Sequence, residues 1–597
     1  MDFTNSKNVE TKGCDKDVLR ITNLKVWTPE EKSWWRRKVT KPKTVILNNV
    51  TGCIKEGEFV AVLGPSGAGK TTFLVSLAGK CSLPSEGVVT VKGTNVRELQ
   101  DVAEVVPQSE AFMPSLTVME HLVFMTEMKL GSCKTSTNRV ILTELMHELK
   151  LKPLEHTLTN ALSGGERRLL SLATSLLSNP EILICDEPTT GLDSYNASLV
   201  IGVLKKIASF NKVVICSVHQ PSSDLFKEFS SIMLMAEGRL LFQGTQDDCR
   251  DLFESINLHC PNNYNPAEFY IRAVSSWDTN ENHAQTLTEI YEQSPKCHGT
   301  RTRNKGKRAE EHRICQRNWL IQVYLLLWRS SLTLPREVLN NLFQLFVCLG
   351  MSSIVIGTCY VGISGTTQRG IQDLRGYLWL ICSEICFSLS YNALYVFEGE
   401  LTLFRREVGV YRTSAYFVAR FFSLIPRCII WPVMFVVVAT ITVELPNYVI
   451  TSLEFILALM WASVAATAYG LGMAALFTST GVMGDVMPCA DLPLFLMSGA
   501  FLRISSLPIW LHPVKYISHF YYVMDALSNI YWRQIDHIDC PYNTTMCVND
   551  GISVLVENGY AKDFILQDTL GLLCVTIIWS ALGYYGLKRE EKKGYAY

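Results

Sequence analysis

The sequence predicts two folds in series: an α/β domain with a largely parallel sheet, then an all-α domain of six membrane-length helices. Three observations carry this. Between Val45 and about Phe253, short apolar runs alternate with helical stretches. One of those runs, Phe59–Leu63, feeds a glycine-rich loop that opens a helix. After residue 338 the chain holds several apolar runs of roughly twenty residues, the length that crosses a bilayer.

The first 45 residues are polar. Their basic stretch, Lys32–Lys43, includes Trp34 and Trp35 and reads as a solvated loop, with a membrane-surface contact as the alternative. No signal peptide is visible in the polar stretch Met1–Asp17. The buried strands expected next are Phe59–Leu63, Ile182–Cys185, Val213–Ser217 and Ile232–Met235. The α/β domain is expected to occupy residues 1–275. A polar linker should follow over 276–312, ending in the basic run Arg301–Arg308, then an amphipathic connecting helix over 313–332 with Trp319, Tyr324 and Trp328.

The membrane domain should cover 338–587, with spans near 338–362, 376–397, 417–443, 450–477, 484–502 and 565–587. Arginines 405, 406, 412 and 420 follow span 2. Lys588, Arg589, Lys592 and Lys593 lie in the tail 588–597, and the linker before span 1 is also basic. All three basic segments share one side, which the positive-inside rule makes cytosolic. The long segment 503–564 then lies outside. It carries the glycosylation acceptor Asn543-Thr544-Thr545, flanked by Cys540 and Cys547, where a disulfide is plausible.

Bulk composition agrees. The net charge of −1 leaves no global basic field, so nucleic acid is not expected as a partner. Ten of the 19 cysteines precede residue 320 without paired zinc spacing, and they read as reduced cytosolic thiols.

The chemistry concentrates in the first domain. Gly64-Pro65-Ser66-Gly67-Ala68-Gly69-Lys70-Thr71, followed by Thr72, matches the phosphate-loop pattern. Its glycines let backbone N–H groups face phosphate oxygens, and the helix N-terminus favours negative charge. Lys70 should reach the β- and γ-phosphates, and Thr71 should bind Mg²⁺. Ile182–Cys185 ends in Asp186 and Glu187: the first a Mg²⁺ ligand through water, the second the base that polarises the attacking water.

Between these motifs lies Leu162-Ser163-Gly164-Gly165-Glu166, which resembles the signature of ATP-binding-cassette (ABC) proteins. The other cassette parts follow in family order. Gln108 fits the Q-loop, implying contacts to nucleotide and Mg²⁺. Gly191-Leu192-Asp193-Ser194 fits the D-loop, and His219 fits the switch histidine at the γ-phosphate. In this family two cassettes meet head to tail, so Ser163, Gly164 and Gly165 would serve the other chain's ATP. With one cassette in the chain, the resemblance implies a second half-transporter, homo- or heterodimeric. Glu166 stands where many cassettes have Gln. Trp27 is the candidate for stacking on adenine, with a core or loop tryptophan as the other reading.

Domain order narrows the resemblance. A cassette preceding its membrane half resembles the G subfamily of half-transporters, which includes the insect white, scarlet and brown eye-pigment transporters. Strings such as Gly165-Glu166-Arg167-Arg168, His219-Gln220-Pro221-Ser222-Ser223 and Phe404-Arg405-Arg406-Glu407 carry it. Spans 2 and 5 line the dimer cavity in the family, which makes Phe387, Tyr391, Asn392, Leu494 and Phe495 candidate cavity residues, with ordinary helix packing as the alternative. The resemblance implies ATP-driven export of pigment precursors of the tryptophan-metabolite or guanine type, with sterols, lipids or xenobiotics as the runner-up. The membrane would be the plasma membrane or that of a pigment granule or vesicle, with the cassette cytosolic. Glu384, inside span 2, needs a partner or a substrate, and Arg420 is the candidate partner.

Overall fold

The computed structural model describes residues 17–592 apart from 33–38, 97–101, 132–134, 262, 276–282, 294–316, 442, 478–479, 540–546 and 561–563. The chain divides into two compact units, the second running from Asn318 to Lys592. Trp34 and Trp35 lie outside the described residues.

In the first unit all four expected strands form, within a six-stranded sheet. Its order is Arg239–Gly244, Ser231–Ala236, Phe59–Leu63, Val213–Ser217, Ile182–Cys185 and Ala103–Val106. The strands from Ser231–Ala236 to Ala103–Val106 run parallel. Every residue of Phe59–Leu63, Ile182–Cys185 and Val213–Ser217 is buried, because helices cover both faces. Alternate residues of each strand feed two separate cores: Phe59, Ala61 and Leu63 enter one, Val60 and Val62 the other.

The basic stretch expected as a loop carries two short paired strands, Glu31–Lys32 and Val39–Lys41. Asp17–Thr28 is a strand, paired antiparallel with Thr44–Lys55 and Ser85–Val91 in a second sheet. Its apolar residues Leu19, Ile21, Leu24 and Val26 are buried, while Thr22 and Asn23 stay exposed. The expected linker is also interrupted. Helix His283–Gln293 buries Leu287 completely and docks Tyr291 through its hydroxyl, which donates to the Thr51 carbonyl at 3.1 Å.

In the second unit the connecting helix and first span are one helix, Trp319–Cys359, instead of two segments. Helices Gln368–Leu394, Thr413–Ala439, Tyr448–Leu476 and Phe564–Lys592 follow the expected pattern, although the last runs through Lys592 and absorbs the start of the tail. Among the described residues three helices are long and apolar enough to cross a membrane: Thr413–Ala439, Tyr448–Leu476 and Ile565–Lys592. Gln368–Leu394 joins Gly399–Arg406 across a 43° bend to make a fourth candidate. The expected span 484–502 stops at Leu496, and Pro488 and Pro493 lie inside its helix.

Tyr448–Leu476 is the central helix of this unit, and small residues let its neighbours approach. A Cβ on Gly470 would fall 2.2 Å from the Ser390 carbonyl oxygen, and one on Gly586 would fall 2.4 Å from that of Ala475. The segment expected as an outside loop, 503–564, is not simply a loop. Its helix His519–Trp532 is buried along its whole length against Gln368–Leu394, Tyr448–Leu476 and Phe564–Lys592. Fourteen residues carrying Asp525 and Asn529 are too short and too polar to register as a span.

Candidate functional site

The parallel sheet collects the cassette motifs at one edge. Val106, Cys185, Cys216 and Ala61 lie side by side in register. Just beyond that row, at the carboxyl ends of the strands, come Gln108, Asp186 with Glu187, Ser217 to His219, and the loop Gly64–Thr71. Ligands bind to such sheets at this edge.

The phosphate loop has the backbone its sequence demands. Gly67 and Gly69 hold φ of 80° and 88°, a region costly for other residues. Gly64 has no room for a side chain, since its Cβ would lie 2.2 Å from the Met235 carbonyl oxygen. Gly69 caps helix Lys70–Leu77 with no side-chain partner for the helix N-terminus. Ser66 is exposed, Pro65, Thr71 and Thr72 are half-buried, and Ala68 is buried. The Lys70 ammonium folds over the loop, donating to the carbonyls of Gly64 at 2.8 Å and Pro65 at 3.0 Å. Burial lowers its pKa, and the carboxylates of Glu187 and Asp186 oppose that shift.

Asp186 and Glu187 do different things. Asp186 is 2% exposed, and its Oδ1 accepts from the Ser217 hydroxyl at 2.5 Å. Its Oδ2 has no hydrogen-bond partner among the described residues. A buried carboxylate oxygen without a donor, in the same cleft as Lys70 and the phosphate loop, fits a Mg²⁺ site that includes Thr71. Glu187 sits at φ 46°, strained for a residue with a Cβ. The strain is held by its own N–H, which donates to Ser217 Oγ at 2.8 Å. Gln108 Nε2 and Thr190 Oγ1 both donate to Glu187 Oε2, at 2.7 and 2.9 Å. Gln108 is thus brought to the Glu187 carboxylate. His219 is exposed just past buried Val218, and among the described residues no hydrogen bond ties it to Glu187.

The signature is a helix N-terminus. Ser163 caps Gly164–Leu176, and Glu166 closes a capping box: its carboxylate accepts from Ser163 N–H at 2.8 Å. Gln would close the same box, and the helix dipole favours the charged Glu166 at this N-terminus. Ser163 and Gly164 are exposed; Gly165 is buried against Asn196, whose amide donates to Asp193 at 2.5 Å. Signature and D-loop therefore form one surface.

One residue of this centre was not singled out from sequence. Arg168, 4% exposed on the signature helix, donates to the carbonyls of Pro107 at 2.7 Å, Gln108 at 2.9 Å and Glu187 at 3.4 Å, and pairs with Glu110 at 3.0 Å. Only its place in the string Glu166-Arg167-Arg168 hinted at it. Trp27 is half-buried in the second sheet opposite Val45, with the Lys43 ammonium 4.3 Å above its ring.

In the second unit, the candidate cavity residues join a chain of rings. Phe387 lies 6.4 Å from Tyr391 and 5.0 Å from Phe520. Trp379 links Phe520 to Phe495, 5.9 Å from each. Leu494 is buried, its carbonyl accepting from Ser518, and the Asn392 amide returns to the Ser388 carbonyl of its own helix. Arg420 pairs with Glu400 at 2.8 Å, which corrects the pairing expected with Glu384. Glu400 shares the helix Val396–Arg406 with Arg405 and Arg406. Cys547 is disulfide-bonded. Cys540 and Asn543 lie outside the described residues.

Comparison with known proteins agrees with both halves. A family profile described as ABC transporter matches residues 47–190, one described as ABC-2 type transporter matches 321–532, and a further ABC-2 type profile matches 219–293. The chain is 30% identical to Protein white of Drosophila melanogaster over 93% of its own length and 85% of that protein. It is 29% identical to Protein brown of the same fly, covering 97% of this chain and 98% of that protein. It is also 29% identical to Protein scarlet, over 92% and 86%.

Proposed function

Because the chain belongs to the ABC transporter family, among the G-type half-transporters with white, brown and scarlet, we propose that it pairs with a second half-transporter and exports a small aromatic substrate. The observation that supports this is a cassette in which Gln108 and Thr190 both donate to Glu187 while the signature stands exposed. Glu187, Gln108 and Lys70 meet at one sheet edge, while Ser163 and Gly164 stand exposed at a helix N-terminus. Those exposed donors need a phosphate, and a head-to-tail partner supplies it.

Lys70 and the phosphate-loop N–H groups bind the β- and γ-phosphates, and Thr71 and Asp186 would hold Mg²⁺. When bound, Mg²⁺ neutralises phosphate charge. Gln108 and Thr190 fix the Glu187 carboxylate, which orients the attacking water and takes its proton. His219 and the signature of the second chain contact the γ-phosphate once the two cassettes close. Closure then drives six spans per chain to pass cargo out of the cytosol, across the plasma membrane or into a granule. Asn543 is glycosylated on the far side, beside a Cys540–Cys547 disulfide.

The cargo is a pigment precursor of the tryptophan-metabolite or guanine kind, supported by the rings of Phe387, Tyr391, Trp379 and Phe495. Affinity purification from its native membrane, with identification of the co-purifying half, tests the pairing. Recovery of a distinct half-transporter identifies a heterodimer and recovery of self-copies a homodimer. A chain that hydrolyses ATP as a monomer refutes the shared site.

A further inference from the structure

We infer that Ser217 is a positioning residue for ATP hydrolysis: its one buried hydroxyl sets the Mg²⁺-binding carboxylate of Asp186 and the main chain of Glu187 against each other. The inference deepens the proposed function and rests on the roles given there to Asp186 and Glu187.

The sheet brings Ser217 to this place. It is the last residue of strand Val213–Ser217 and is fully buried. That strand runs parallel to Ile182–Cys185, and their last rung pairs Cys216 with Cys185. Past that rung each chain turns to its outer neighbour. The Asp186 N–H donates to the Val106 carbonyl at 2.9 Å, and the Val218 N–H donates to the Val62 carbonyl at 3.2 Å. Glu187 leaves the sheet at φ 46°, and its N–H donates to the Ser217 hydroxyl oxygen instead of a strand carbonyl.

A hydroxyl has one proton to give and two lone pairs to accept with. Ser217 gives its proton to Asp186 Oδ1 at 2.5 Å and accepts the Glu187 N–H at 2.8 Å. The first bond lies in the short range of a hydroxyl on a carboxylate. It fixes the rotation of the Asp186 side chain and leaves Oδ2, which has no hydrogen-bond partner among the described residues, as the oxygen available to a cation. The second bond holds the left-handed turn from which the Glu187 side chain reaches Gln108 and Thr190. Metal ligand and base are thus set by the same atom.

Phosphoryl transfer has a use for such a link. The attacking water must lie in line with the γ-phosphate, so the base and the acid that serves the metal must keep one fixed separation. Ala at position 217 would leave both Asp186 Oδ1 and the Glu187 N–H without this partner. Cys keeps the bulk of Ser but is a weak donor and a weak acceptor. Thr keeps the hydroxyl and suits a strand. None of these changes alters a residue of the phosphate loop, so ATP binding through Lys70 and the loop N–H groups should persist.

Two measurements on the full chain in lipid nanodiscs, with whatever partner it requires, test this. The first is steady-state ATPase kinetics. Ser217→Ala and Ser217→Cys should lower kcat by about ten-fold or more while the KM for ATP stays within about three-fold of wild type, and Ser217→Thr should restore most of kcat. The second is equilibrium binding of radiolabelled ATP, with Mg²⁺ and with EDTA, in the Glu187→Gln background that removes turnover. There Ser217→Ala should bind ATP in EDTA as its parent does and lose most of the tightening that Mg²⁺ gives. A wild-type kcat in the Ala or Cys variant, a loss confined to KM, a Thr variant as impaired as Ala, or full Mg²⁺ tightening in the Ala variant overturns the inference. A Glu187→Gln parent that shows no Mg²⁺ tightening refutes the role of Asp186 itself, and the inference falls with it, so the two failures can be told apart.

Discussion

Gln108 donates its side-chain amide to the Glu187 carboxylate at 2.7 Å, joining two residues that lie 79 positions apart. The strand ends that carry them are neighbours, with Val106 in register with Cys185. The hydrogen bond holds the Glu187 carboxylate in place at the carboxyl edge of the sheet.

Arg168 extends that link to the signature helix. Its guanidinium holds three carbonyls, two of them in the Q-loop segment and one that of Glu187 itself. Arg168→Ala should lower kcat for ATP hydrolysis by about ten-fold to a hundred-fold, since loss of buried charged hydrogen bonds misplaces Glu187 by the sub-ångström amounts that matter. The KM for ATP should change much less. Steady-state ATPase kinetics in detergent or lipid check this, and a change confined to KM contradicts it.

Glu104 controls acid stability of the cassette. Burial works against its ionised carboxylate, but the ammonium groups of Lys129 at 2.7 Å and Lys80 at 3.0 Å outweigh it and hold its pKa down to about 2. Because the folded value lies below the ordinary 4.5, the contribution is present above pH 4.5 and is lost as pH falls toward 2. Glu104→Gln should therefore destabilise the cassette at neutral pH by about 3 kcal/mol, the cost of leaving the buried Lys129 ammonium without its carboxylate. The gap from wild type should narrow below pH 4.5, as read by denaturant unfolding at several pH values.

A second buried pair clamps the membrane unit. Arg329 and Glu407, 4% and 3% exposed, meet at 2.8 Å, and the Tyr411 hydroxyl donates to the same carboxylate at 2.6 Å. Glu407→Gln should lower stability by about 3–5 kcal/mol, seen as a lower melting temperature in detergent. The double variant Arg329→Met with Glu407→Leu should lose less than either single change, because no lone charge remains. A double variant as unstable as the sum of the singles contradicts the pairing.

Legibility in the sequence followed the length and regularity of the signal. Phe59–Leu63 and Val213–Ser217 were readable because strands buried on both faces are unbroken apolar runs. Asp17–Thr28 was hidden because it bulges against its partner, and Asn23 interrupts its alternation of apolar and polar residues. The phosphate loop and Glu187 were found because their chemistry is local in sequence. Arg168 and Ser217 were not, because their roles exist only once distant strand ends meet. His519–Trp532 was missed for its length.

We propose that Glu187 is the base in the ATP hydrolysis that drives this transporter. Purified chain, with whatever partner it requires, should hydrolyse ATP, and Glu187→Gln should bind ATP as tightly as the wild type while turning over at least about a hundred-fold more slowly. A Glu187→Gln chain that hydrolyses ATP at the wild-type rate would contradict the account.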